Sequence, residues 1–249
     1  MEPVKFNDSF IIKQRPTGKN NIMPVNLSDS LLDPSSFAVL WDMDGVLVDT
    51  AELHYQTWKQ TLAGYGIPFS RQLFNESFGM NNEQTLTRIL GRPPEPSFLQ
   101  ESSDHKEDKF RKSIHGQIEL YPGVRKLLQE LQSAGVRQAI ASSAPQENID
   151  ALVNELNMAS FFQAIVSGHQ LNSKPDPATF LLAAERLGVN PQHCVVIEDA
   201  LHGIEAARRA GMKCIAVATT NPVDFLSLAD LVVSRINELS AARILDLIY

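Results

Sequence analysis

The chain has little cysteine, no excess of basic residues and no long apolar run, and each shortage excludes something. Only Cys194 and Cys214 occur among 249 residues, both in apolar, strand-like runs. Two thiols so placed read as buried and reduced, not as a disulfide framework or a metal site. Net charge is −7, from 22 basic and 29 acidic residues, with no basic block. That argues against a nucleic-acid-binding surface. No apolar stretch approaches the ~20 residues needed to span a bilayer. The N-terminus lacks the apolar core of a secretory signal, and its mixed acids and few arginines do not suit a transit peptide. There is no Walker loop and no GxGxxG fingerprint, so an ATP- or NAD-dependent enzyme is not expected. No internal repeat is evident. The expectation is a soluble cytoplasmic monomer with neither nucleic-acid nor membrane partners.

What is present is an alternation. Residues 1–36 are rich in Asn, Ser, Asp, Pro and Lys and read as a flexible extension. From Phe37 onward, short apolar runs at Phe37–Trp41, Val136–Ala141, Ala164–Ser167, Cys194–Ile197, Cys214–Ala218 and Leu231–Val233 are separated by helical patterns. Pro145 opens one helix, Asp176-Pro177 reads as an N-cap followed by Pro at the first helical position, and Gly188 and Gly211 sit where helices should stop. This pattern predicts an α/β fold with a doubly wound parallel sheet, covered on both faces. One segment, 54–116, breaks the rhythm: it has helical patterns and no buried strand. Asn81-x-x-Gln84 and Ser97-x-x-Gln100 resemble capping boxes there, and the proline-rich run after Gly91 separates two helices. It reads as a small all-helical domain inserted after the first strand, with the core formed by 37–53 and 117–249.

The chemistry gathers at predicted strand ends. Asp42 and Asp44 follow the first apolar run, two residues apart, so extended backbone can point both the same way. Paired acids there are costly without a cation or shared protons. Gly45 lets the chain turn sharply. Ser142-Ser143 ends the second run, Lys174 lies in a Lys-Pro-Asp-Pro loop beyond the third, and Glu198-Asp199 ends the fourth. Each has a plainer reading alone: an acidic turn, a helix N-cap before Pro145, a solvated lysine, a cap for a helix starting near Ala200. Ligands of open parallel sheets bind at the carboxyl ends of the strands, and all these residues fall at that rim. Four acids, two hydroxyls and a lysine suit a hard divalent cation beside a phosphate group.

These motifs, in this order and spacing, resemble the haloacid dehalogenase-like superfamily, in particular its β-phosphoglucomutase-like branch. The resemblance runs from about Phe37 to Ala241, and the helical insertion is similar to that family's cap domain. It implies that Asp42 is the nucleophile and forms an aspartyl-phosphate. Asp44 would be the general acid and then the base, with a raised pKa so that it keeps a proton. Mg²⁺ would be held by Asp42, the carbonyl of Asp44 and Asp199, with Glu198 assisting directly or from further out. Ser142, Ser143 and Lys174 would bind the phosphate. An acid at position 44 favours phosphate chemistry over dehalogenation.

Substrate choice falls to the cap. His54 and Trp58 lie one helical turn apart, and His54 aligns with a histidine found in mutases and phosphatases alike. Lys106 falls where mutases carry a cap lysine. At Asn81-Asn82 the mutases resemble Ser-Arg, and their arginine grips a distal phosphate. Asn82 supplies neither the charge nor the bidentate fork of Arg, although Arg88 or Arg92 could substitute. The expected activity is a Mg²⁺-dependent phosphatase acting on a small phosphorylated metabolite such as a sugar phosphate. The alternatives are β-phosphoglucomutase and, from another class, a non-catalytic module that binds a phosphorylated ligand.

Overall fold

A computed structural model describes residues 33–248 of the chain. Most of the expected N-terminal extension lies outside those residues. Its last part, 33–36, is an ordered turn: Pro34–Ser36 forms a 3-10 helix whose preceding Asp33 side chain accepts from Ser35 N.

Among the described residues, six strands form one parallel sheet. They are β1 (Ala38–Trp41), β2 (Arg137–Ser142), β3 (Ala164–Ser167), β4 (Cys194–Glu198), β5 (Lys213–Val217) and β6 (Leu231–Val233). Their spatial order is β3-β2-β1-β4-β5-β6. Every neighbouring pair is parallel. The fold is therefore α/β with a Rossmann-like, doubly wound sheet, and the strand order reverses between β1 and β4, where such sheets bind ligands. All six apolar runs become strands, with shifts of one residue at several ends. Side-chain alternation explains why successive apolar residues of the central strands are needed on both faces. Val39 and Trp41 of β1 enter one core layer, while Ala38 and Leu40 enter the layer on the opposite face. Val195 and Ile197 of β4 divide from Cys194 and Val196 in the same way. Both cysteines are free and buried, as expected.

The helices are α1 (Ala51–Gly64), α2 (Arg71–Ser77), α3 (Asn82–Leu90), α4 (Pro96–Ser113), α5 (Val124–Ser133), α6 (Gln146–Glu155), α7 (Ala178–Leu187), α8 (Leu201–Arg209) and α9 (Ala241–Leu245). α1 to α4 follow one another with no strand between them and carry a separate apolar core of Tyr55, Trp58, Leu62, Phe69, Phe74 and Leu86. Arg71 lies over the Tyr55 ring at 3.5 Å, closing one side of it.

The helix-start readings had mixed outcomes. Asn81 caps α3, its side chain accepting from Gln84 N at 2.9 Å. Ser97 does not cap α4. Glu95 occupies the N-cap and Pro96 the first turn, where its fixed φ suits the helix and its missing N–H costs nothing. α7 starts one residue later than the Asp176-Pro177 reading: Pro177 is the N-cap, and Asp176 Oδ1 accepts from Ala178 N at 2.9 Å. Gly188 ends α7 in a left-handed conformation at φ 64°. None of the helices among the described residues is long and apolar enough to cross a membrane.

Candidate active site

β1 delivers Asp42 to the sheet's carboxyl rim, where its N–H donates to the Ile197 carbonyl at 3.0 Å. That bond ties the first motif to β4, and β4 ends at Glu198 with Asp199 next. Lys174 reaches in from the loop beyond β3. Its Nζ lies 2.5 Å from Asp42 Oδ1 and 2.6 Å from Glu198 Oε1. All four residues are buried. Glu198 Oε2 accepts from the N–H groups of Asp199 (2.8 Å) and Ala200 (2.9 Å). Both Glu198 oxygens are thus engaged by the protein itself, which favours an indirect role for it over metal ligation.

Two glycines permit this crowding. Gly45 has φ +87°, and a Cβ there would sit 2.1 Å from Asp199 Oδ2. A Cβ on Gly203 would sit 1.8 Å from Glu198 Oε1. Both distances are far inside van der Waals contact, so the sequence needs glycine at each position.

Electrostatics follow from burial. Desolvation pushes the Asp42 carboxyl up to about 7 against the pull of Lys174, with Glu198 and Asp44 adding to the rise. Desolvation, Glu198 and Asp42 push Asp199 well above the usual carboxylate range. Lys174 is pushed up, because Asp42 and Glu198 outweigh the desolvation of its ammonium. Asp44 departs from the expectation of a raised pKa. Burial does raise it, but hydrogen bonds from His54 and Thr50, with the charges of His54 and Lys106, hold it below its ordinary value. Thr50 donates its hydroxyl to Asp44 Oδ1. His54 Nε2 lies 3.4 Å from the same oxygen, its ring stacked on Phe110 at 4.1 Å.

The donor set fits a hard divalent cation. Asp42, Glu198 and Asp199 bring three buried carboxylates to one ammonium, so the rim carries excess negative charge. Asp199 has one oxygen held by the Thr220 hydroxyl. Among the described residues, no group of three or more His, Cys, Asp or Glu is placed to hold a metal ion by itself. Carboxylates such as Asp42 and Asp199 are ligands of the type Mg²⁺ takes, one or two at a time, together with waters and substrate oxygens.

The remaining candidates also converge. Asp42, Asp44, Ser142, Ser143, Lys174, Glu198 and Asp199 line one cavity of ≈ 520 Å³. Ser142 Oγ accepts from Ala144 N at 3.1 Å, a local turn bond beside the cavity; it does not cap α6, whose N-cap is Pro145 with no side-chain bond. A second cavity of ≈ 60 Å³ shares Asp44 and Ser143 and brings in His54, Trp58, Asn82 and Lys106. Arg88 and Arg92 line neither cavity. Arg88 Nη2 is paired with Glu76 at 2.5 Å, and Arg92 Nη1 lies 3.9 Å from Glu95.

Sequence reasoning missed Thr50, Glu107, Asn148, Thr220 and Asn221. Thr220 and Asn221 follow β5 at the same rim, and both touch Asp199. The rule that found the other four strand ends would have found them. Glu107 and Asn148 gave no signal: a mid-helix Glu and a first-turn Asn read as solvated.

A doubly wound sheet that gathers paired acids, a buried lysine and hydroxyls at its switch point, beside a helical insertion, defines an α/β enzyme built to handle anionic groups. Comparison with known proteins makes this specific. Residues 39–217 match the family model for haloacid dehalogenase-like hydrolase, and the chain belongs to that family. It is 33% identical over 179 residues to a phosphorylated carbohydrates phosphatase of Thermotoga maritima, covering 72% of this chain and 83% of that one. It is equally, 33%, identical over 211 residues to a beta-phosphoglucomutase of Bacillus subtilis, covering 82% and 91%. The crystal structure of a beta-phosphoglucomutase from Clostridium difficile superposes with TM-score 0.76 at 29% identity, covering 85% of this chain and 96% of that chain. Members of the superfamily generally use Mg²⁺, and a cap domain is typical of them.

Proposed function

We propose that the protein is a Mg²⁺-dependent phosphatase that hydrolyses a small phosphorylated metabolite, of the sugar-phosphate class, through an aspartyl-phosphate on Asp42. The observation that carries this reading is the buried bridge from Lys174 to Asp42 and Glu198, with Asp44 lining both adjoining cavities. Phosphoryl transfer depends mainly on positioning and charge neutralisation. An Asp42 oxygen attacks phosphorus, and the P–O bond to the leaving group breaks. The electron pair stays on the leaving oxygen, which takes a proton from Asp44. Water then attacks the aspartyl-phosphate and gives its proton to Asp44. The P–O bond to Asp42 breaks, regenerating the carboxylate and freeing phosphate.

Asp44, held low in the free protein, is ready as the base of the second half. A phosphate dianion arriving beside it opposes its ionisation and favours the protonated form needed in the first. Lys174 and the Ser142 region orient the phosphate oxygens, and Glu198 positions Lys174. Asp42, Asp199 and the Asp44 carbonyl are the proposed Mg²⁺ ligands; the ion would offset the repulsion between carboxylate and phosphate. The helical segment 54–116 is the proposed cap, and a reducing compartment such as the cytoplasm fits the two buried, unpaired cysteines.

The mutase reading is favoured less because Asn82 supplies no cation for a distal phosphate and Arg88 and Arg92 are engaged elsewhere. A binding module has no use for a nucleophile and an acid together. The test is an assay with Mg²⁺ across phosphorylated sugars and small acids, following released phosphate. Conversion of β-glucose 1-phosphate with a bisphosphate primer is followed in parallel. Phosphate release without isomerisation is expected. Isomerisation with little release would establish the mutase instead. No release from any ester, with ligand-induced thermal stabilisation, would support a binding module.

A further inference from the structure

The small cavity beside Asp44 is walled by a buried ionic cluster that the proposed phosphoryl transfer does not use. Its centre is Glu107 on α4. Oε1 accepts from Lys106 Nζ and from Asn82 Nδ2, both at 2.9 Å. Oε2 accepts from Lys106 Nζ at 3.0 Å and from Asn148 Nδ2 at 2.5 Å. These four bonds fill a carboxylate's acceptor capacity. Burial alone would push Glu107 up, but Lys106, His54 and the bonds from Asn82 and Lys106 hold it down at about 2. It is ionised at any working pH.

Three consequences follow for whatever enters the cavity. The Lys106 charge is cancelled at short range. One N–H of the Asn82 amide is taken up by Glu107 Oε1. Arg111, on the same helix, is directed at Asn148 Oδ1 at 3.0 Å. A phosphate dianion placed here would lose water and meet the neutral Lys106–Glu107 pair, with the Asp44 carboxylate close by and the His54 ring already turned onto that carboxylate. Unpaired burial of that charge is costly. Hydroxyl groups fit better, because an amide oxygen at Asn82 can accept and the third Lys106 N–H can donate.

We propose that Glu107 is a specificity-determining residue: by neutralising Lys106 and holding Asn82, it confines the site to monophosphate esters with an uncharged, hydroxyl-bearing distal end and rejects bisphosphates. The inference rests on the proposed reading that the reacting phosphate sits at Asp42. It also makes Asn82 insufficient by itself. An arginine at position 82 would meet Glu107 Oε1 and be neutralised before it could grip a distal phosphate.

The experiment measures affinity for a panel of three- to six-carbon sugar monophosphates and bisphosphates, with Mg²⁺, in an Asp42→Asn background that cannot turn over. Phosphate release is measured on the parent enzyme with the same panel. The expected result is that the parent binds monophosphates more tightly. Glu107→Gln shifts the bisphosphate-to-monophosphate affinity ratio upward by about tenfold or more, and adding Lys106→Gln returns it to within about threefold of the parent. An unchanged ratio in Glu107→Gln, a parent preference for bisphosphates, or no binding of any monophosphate would overturn the proposal. If Glu107→Gln does not fold, Asn82→Arg serves: with Glu107 intact the ratio stays within about threefold, and a tenfold rise overturns the proposal. The two readings fail separately. Ratios that shift as expected without phosphate release sink the phosphatase but keep the selectivity; phosphate release with unmoved ratios does the reverse.

Discussion

Lys174 shows how much depends on a single side chain at this rim. It is the ammonium shared by Asp42 and Glu198, at 2.5 and 2.6 Å, and all three are buried. Removing it leaves two buried carboxylates facing each other, a loss of several kcal/mol when such a pair is broken from one side. Lys174→Met is expected to lower kcat/KM for phosphate release by at least about a hundredfold and to destabilise the fold by about 3 kcal/mol in denaturant titration. Full stability with lost activity would mean that Glu198 and Asp42 do not need their counter-charge. Asp44 teaches the opposite lesson about legibility. Its place was readable from the Asp-Met-Asp-Gly spacing. Its pKa direction was not, because that is set by Thr50 and His54, six and ten residues away, folding back onto one oxygen.

At the level of elements, strand ends and helix starts carry the site. β4 and α8 meet with almost no space between them, since a Cβ on Gly203 would lie 1.8 Å from Glu198 Oε1. Gly203→Ala is expected to push Glu198 off Lys174 and reduce kcat by about tenfold or more while the protein stays folded, as circular dichroism would verify. An alanine variant with parental kcat would show that Glu198 can move without consequence. Strands were the most legible elements, because each is a short, largely apolar run, and the central ones, β1 and β4, are buried along their whole length. Helix starts were less so. Pro96 displaced Ser97 as the opening of α4, because a preorganised φ competes with a side-chain cap.

Across the whole molecule, the Glu107 cluster joins segments far apart in sequence: Asn82 on α3, Lys106 and Glu107 on α4, and Asn148 on α6. It ties the proposed cap to the sheet-covering helices, so it also bears on stability. The folded pKa of Glu107, about 2, lies below its ordinary 4.5. Its contribution is therefore complete above pH 4.5 and is lost as pH falls through that value toward 2. The stability gap between the parent and Glu107→Gln is expected to be on the order of 3 kcal/mol at neutral pH and to close across that acid window. A gap that stays constant from pH 6 to pH 2.5 in thermal melts would refute this.

The sequence by itself determined the sheet and the candidate rim. Buried parallel strands must be apolar throughout, their ends must carry the ligand-binding residues, and both signals are local in the chain. Tertiary structure alone decided the rest: that Glu198 serves Lys174, that Asp44 is held low, and that Glu107 cancels Lys106 under Asn82. Each of these is a charge set by partners from other segments, and a charge in a low-dielectric interior takes its meaning from whatever the fold packs against it.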